Sequence, residues 1–166
     1  MSLLSNTADR ALPRIVEAIY DSIADFSLWQ DTLDAIRRLV EGQLAMLAVV
    51  DTVGNSARFS VSSGDPALLG PLEQNYGSEV PFFAAVPKMD IDVPFTVDTI
   101  YALQGPDTRQ KWLDSRIARE WGIPNRLDDF FWVALMKQPT RVGTLMGVTD
   151  KDRRQISDED LELVSS

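Results

Sequence analysis

Leu12, Ile15, Val16, Ile19 and Ile23 are apolar positions at helical spacing. They predict a first helix from Leu12, with Pro13 in a first turn where its missing N–H costs nothing. A second helix follows from Ser27: Ser27-Leu28-Trp29-Gln30 is a Ser-x-x-Gln capping box, and Trp29, Leu33, Ile36 and Val40 form a stripe ending near Gly42. The period then changes. Leu44 to Asp51 reads as a buried strand, Val53-Gly54-Asn55-Ser56 as a turn, and Arg58-Phe59-Ser60-Val61-Ser62 alternates as a half-buried strand does. Together they predict an antiparallel hairpin. Gly64-Asp65-Pro66 caps a helix from Pro66 to near Gly77 that carries Leu68, Leu69, Leu72 and Tyr76.

Between Val80 and Val97, Pro81, Pro87 and Pro94 exclude a long regular helix and predict a loop-rich crossing, closed by a short extended piece, Phe95-Thr96-Val97. Thr108 to Gly122 reads as one helix with Trp112, Ile117 and Trp121 turned inward and Gly122 ending it. Leu127 to Lys137 and Val142 to Thr149 form a second hairpin about Gln138-Pro139-Thr140, in which Gly143 and Gly147 mark close approaches to the backbone. Ser157-Asp158-Glu159-Asp160 is a helix start, acidic where the helix dipole favours it, with Leu161 and Val164 opening its stripe. Hairpins with helices before, between and after describe an α+β sandwich on an antiparallel sheet. Residues 1–11 lack periodicity up to Leu12 and are read as a disordered or vector-derived start, leaving 12–166 as a single domain.

Composition narrows the chemistry. A 166-residue chain that is 45% apolar can build a core without staples. It holds no Cys and no His, which removes disulfides, thiol nucleophiles, His-based triads and Cys/His metal or haem sites. A formal net charge of −9 repels phosphate backbones and anionic membranes. The longest apolar run, Leu44 to Val50, is far too short to span a bilayer, so a cytoplasmic protein is expected. No phosphate-cradling glycine motif and no cofactor motif is present.

Carboxylates offer one catalytic alternative, through Asp128, Asp129 or Glu79, but neither they nor Asp90 and Asp92 show calcium-loop spacing, and Asp158 to Asp160 is explained by capping. No catalytic or metal residue is assigned. The basic group Arg141, Lys151, Arg153 and Arg154 reads as a solvated turn. Aromatic residues crowd the second half, spread over helices, the Pro-broken crossing and a strand. A crossing of this kind over a sheet often walls a small-molecule pocket. The ligand-binding candidates are Tyr76, Phe82, Phe95, Trp112 and Trp132. The alternative is a closed aromatic core in a ligand-free dimerisation or protein-interaction module.

The run Ile19 to Trp29, the hairpin after it, the helix ending Trp121-Gly122-Ile123, the second hairpin and the closing Ile156-Ser157-Asp158-Glu159-Asp160-Leu161 resemble, in order and separation, the N-terminal sensor domain of LuxR-type helix-turn-helix transcriptional regulators. The resemblance implies a PAS/GAF-like α–β–α sandwich with about five antiparallel strands and a pocket under one helical layer. It also implies a homodimer that binds a small apolar or amphiphilic ligand and contacts DNA only through a C-terminal domain missing from this sequence. Lactone-binding members carry an Asp-Pro whose carboxylate accepts the ligand amide. Here Tyr76-Gly77-Ser78-Glu79-Val80-Pro81-Phe82 puts Val80 in the Asp position, which counts against an acyl-homoserine lactone.

Overall fold

A computed structural model describes residues 3–150. Helix α1 (Leu3–Ala24) leads through a 3-10 turn (Phe26–Leu28) into α2 (Trp29–Leu39), then strands β1 (Leu44–Asp51) and β2 (Ser56–Gly64). Helix α3 (Pro66–Asn75), a 3-10 segment (Pro81–Lys88), β3 (Pro94–Thr96), α4 (Val97–Gln104), α5 (Thr108–Asp114) and a π-turn (Ala118–Gly122) precede β4 (Leu127–Gln138) and β5 (Arg141–Asp150). The strands form one antiparallel sheet in the order β2-β1-β5-β4-β3. No described helix is long and apolar enough to cross a membrane. The helix expected at Ser157, the basic Lys151, Arg153 and Arg154 and the acidic Asp158, Glu159 and Asp160 lie outside the described residues.

Alternation along the strands builds two cores. On one face Ala45, Phe131, Val133 and Leu145 meet Ile15, Leu33, Ile36 and Val40 of α1, α2 and the turn that follows. On the other, Leu44, Met46, Phe130, Trp132 and Val148 meet α3, the 3-10 segment and the helices after it. Bulges adjust the alternation. Leu47 pairs with Val61 and Ala48 with Phe59, so Ser60 is an extra residue, and Phe59 and Val61 pack on opposite faces despite their spacing. The two strand glycines do admit close neighbours: a Cβ on Gly147 would lie 2.2 Å from Phe131 Cε1, and one on Gly143 2.7 Å from Met136 Cγ.

Four local expectations are corrected. Helix α1 begins at Leu3, not Leu12, so residues 3–11 are helical and Pro13 sits inside the helix, where it removes one rung of the backbone ladder. The Ser27 capping box does not form. Asp25 instead accepts from the Ser27 backbone N–H and hydroxyl, starting a 3-10 turn, while Gln30 Nε2 donates to the Ser62 carbonyl. The single helix expected over 108–122 breaks at Ser115, whose hydroxyl donates to the Trp112 carbonyl at 2.6 Å and accepts from the Ala118 N–H at 3.2 Å. This side chain competes with the helical ladder at that point. Helix α4 was not expected: the extended piece read to Val97 ends at Thr96, and Val97 opens a helix whose β-branched Val97, Thr99 and Ile100 weaken its local signal. It is capped by Thr96 and ends at Gly105, whose φ of 105° a side chain would resist.

Candidate functional site

An apolar hollow of about 40 Å³ lies between the sheet and the irregular helical layer. Its floor is Leu127, Phe130 and Trp132 of β4 with Met146 and Val148 of β5. Its roof is Leu72 of α3, Val80 and Phe82 at the start of the 3-10 segment, Trp112 of α5, and Ile117 and Trp121 at the π-turn. The break at Ser115 positions this roof, since it separates Trp112 from the turn that carries Ile117 and Trp121. Gly122 also contributes space: a Cβ there would come within 3.2 Å of both Trp112 Cζ2 and the Leu127 carbonyl.

The rings pack by their edges and faces. Phe82 is central, with centroids 4.9 Å from Phe130, 5.0 Å from Trp112, 5.7 Å from Tyr101 and, edge-on, 6.5 Å from Trp132. Phe83 stacks on Trp132 at 5.9 Å and 13°. Four of these rings, Phe82, Trp112, Phe130 and Trp132, line the hollow.

Two tryptophans on its wall differ in their polar edge. Trp121 Nε1 donates to the Leu68 carbonyl at 2.9 Å. Trp132 is 3% exposed, and its Nε1–H is buried without a protein acceptor. Buried indole N–H groups normally have one, because leaving such a donor unmade costs about 1–3 kcal/mol.

Of the sequence candidates, Phe82, Trp112 and Trp132 converge on the hollow; Tyr76 and Phe95 do not line it. Phe95 is half-buried on the short β3, paired with Trp132 in register. Tyr76 belongs to a polar rim. Its hydroxyl donates to Glu120 Oε2 at 3.0 Å, and the Arg116 guanidinium lies over its ring, 4.9 Å from the centroid. Burial chiefly, with the Glu120 bond, pushes the Tyr76 hydroxyl above its ordinary pKa. Arg116 grips both Glu79 carboxylate oxygens, Nε lying 2.9 Å from Oε2, and also donates to the Asn75 carbonyl. The Arg116 bonds hold Glu79 below the usual carboxylate range, and Glu79 in turn raises Arg116. Val80 and Phe82 are thus the residues of this stretch that reach the hollow, while Glu79 is engaged at the rim. The Asp128 side chain lies outside the described ones, and Asp129 is half-buried on β4.

Phe130, Trp121, Leu72 and Met146 were not among the candidates. Strand alternation could have found Phe130, two residues from Trp132 and therefore on the same face. The contribution of Leu72 and Met146 depends on tertiary placement alone.

Compared by sequence, the chain matches no protein-family model and no curated protein. In structure it is similar to the VqsR LBD domain from Pseudomonas aeruginosa, with TM-score 0.62 and 11% identity over 93% of this chain and 85% of that one. It is also similar to the phycoerythrobilin-bound GAF domain from a cyanobacterial phytochrome (TM-score 0.59, 16% identity, 94% and 87% covered). A third similar structure is the GAF domain from a phosphoenolpyruvate-protein phosphotransferase of Coxiella burnetii (TM-score 0.55, 12% identity, 98% and 88% covered). The chain therefore has a GAF-like α+β fold, a five-stranded antiparallel sheet flanked by helices: the pattern of the sequence led to the α+β sandwich, and the resemblance implied the PAS/GAF-like form and the strand number. Fold does not carry function across at such identities; the site must supply it.

Proposed function

We propose that this chain is the small-molecule-sensing domain of a LuxR-type transcriptional regulator, non-catalytic and homodimeric, which binds an apolar or amphiphilic ligand in the hollow. Its output would pass through the segment after Asp150 to a DNA-binding domain. The observation that carries the reading is the apolar hollow walled by Phe82, Trp112 and Trp132 under an irregular helical layer. Two similar folds support it, one named as an LBD and one bound to phycoerythrobilin. Dimerisation draws support from Tyr20, Ile23 and Phe26, each more than 60% exposed at the end of α1 and in the turn after it. Native mass spectrometry of protein purified from cells tests the proposal: a retained small molecule on a dimer is expected.

One observation favours a second reading, the closed interaction module. A space of about 40 Å³ holds only a few heavy atoms, well below the roughly 300 Å³ of ordinary ligand pockets. Sensing thus requires the roof to lift. A bare protein mass, together with no binding of any apolar probe, would decide for the closed module.

A further inference from the structure

We infer that the hollow selects an uncharged ligand bearing a hydrogen-bond acceptor oxygen, and that Trp132 is the specificity-determining residue, donating its indole Nε1–H to that oxygen. The inference rests on the sensing reading and adds the chemistry of what is sensed. The walls carry no ionisable side chain, so an ammonium or carboxylate would enter without compensation for its lost hydration. Trp121 has already used its donor on Leu68, whereas Trp132 has not used its own. An indole N–H only donates, so its complement is a carbonyl or ether oxygen, not a second donor.

Trp132 cannot readily turn to find an acceptor elsewhere. Phe83 stacks on its face, Phe82 meets it edge-on, and its backbone is paired on both sides, with Phe95 and with Met146. A donor held this firmly in an apolar wall is pre-organised for one oxygen. Water is a poor substitute, since a buried water needs about two to four polar partners and these walls are almost wholly apolar.

The test uses two neutral probes of one shape, cyclohexanone and methylenecyclohexane, with cyclohexylammonium as the charged control. Affinities are measured for the wild-type chain and for Trp132→Phe, which keeps an aromatic ring and removes the N–H. In ¹⁵N-labelled protein the Trp132 indole resonance is assigned by its loss in that variant. The expected result is a Trp132 indole N–H peak that moves downfield with cyclohexanone and not with methylenecyclohexane. Trp132→Phe should also lower the affinity ratio of ketone to alkene about tenfold, whatever the change in alkene affinity itself. Because the probes match in shape, general loosening of the hollow moves both affinities and leaves their ratio alone. Should the variant fail to fold, the wild-type peak shift decides. Alkene binding with an unmoved indole peak or an unchanged ratio overturns the role of Trp132 and leaves sensing intact. Tight binding of cyclohexylammonium overturns the claim of neutrality. If neither neutral probe binds at millimolar concentration, this inference falls, and if the purified protein also shows a bare mass, the sensing reading falls with it.

Discussion

The two faces of the sheet are made from the same strands, yet they are covered in opposite ways. One is closed by α1 and α2, continuous helices of 22 and 11 residues whose aliphatic side chains mesh with Ala45, Val133 and Leu145. Phe131 fills the remaining space by lying over Gly147. The other is roofed by segments of 5 to 10 residues, interrupted at Pro71, Pro87 and Ser115 and filled with aromatic rings. Short helical pieces leave much of their backbone outside a regular ladder, so the roof is the layer expected to open at the lower free energy. The comparison teaches that density and capacity are divided between the faces. One anchors the sheet, and the other leaves a hollow under an irregular roof.

The largest effect expected is on the dense face. Leu33 of α2 is fully buried in the core between the helices and the sheet, and Leu33→Ala should cost about 3 kcal/mol in urea unfolding, because meshed aliphatics relax little around a cavity. Next comes Gly147→Ala, whose methyl would overlap the Phe131 ring; about 2 kcal/mol is expected from forcing that ring aside. If either change costs less than about 0.5 kcal/mol, the face is not densely packed and the contrast fails.

Adding volume should separate the faces more sharply. Val80 lines the hollow, so Val80→Leu places one more methylene in existing space and should stabilise the protein by about 0.5–1 kcal/mol while reducing uptake of apolar probes. Ala45→Val, which adds two carbons on the dense face, should instead destabilise by about 1–3 kcal/mol. Thermal midpoints of the two variants, measured together, check both signs. A Val80→Leu protein less stable than the wild type would show that the hollow has no usable room.

Much of this division was legible in the sequence, for identifiable reasons. Apolar runs, aromatic density and, in Arg58 to Ser62, alternation exposed the strands and both hairpins, and Pro81, Pro87 and Pro94 marked the crossing that becomes part of the roof. Phe82, Trp112 and Trp132 could be named because large apolar residues on a strand and on the elements over it have few places to go. Tyr76 is also buried, but its hydroxyl is drawn to Glu120, across 44 residues of sequence, by a contact no local pattern encodes. The break at Ser115 is a competition between one hydroxyl and the helix ladder, too small in energy to read from spacing. That Trp132 lacks an acceptor while Trp121 has one follows only from where the Leu68 carbonyl lies in the folded chain.

The smallest effect concerns how the roof is held. Arg116 joins Glu79, next to Val80, to the segment that carries Ile117 and Trp121, so the pair spans two stretches that line the hollow. Both side chains are substantially exposed, and a pair of this kind contributes little to global stability. Its pH signature is nevertheless directional. Glu79 titrates lower in the folded chain than in the unfolded one, so the pair's contribution is present above the unfolded glutamate pKa of about 4.3 and is lost as pH falls through the folded value. Between about pH 5 and pH 3, wild-type urea midpoints should therefore fall more steeply than those of Arg116→Gln, and the difference should shrink in high salt. The raised Tyr76 hydroxyl has the opposite sense: its contribution holds below pH 10 or so and is lost as pH rises through the folded value. Parallel acid limbs for the two proteins would mean that Arg116 and Glu79 do not hold these segments together, leaving the roof secured by its aromatic packing alone.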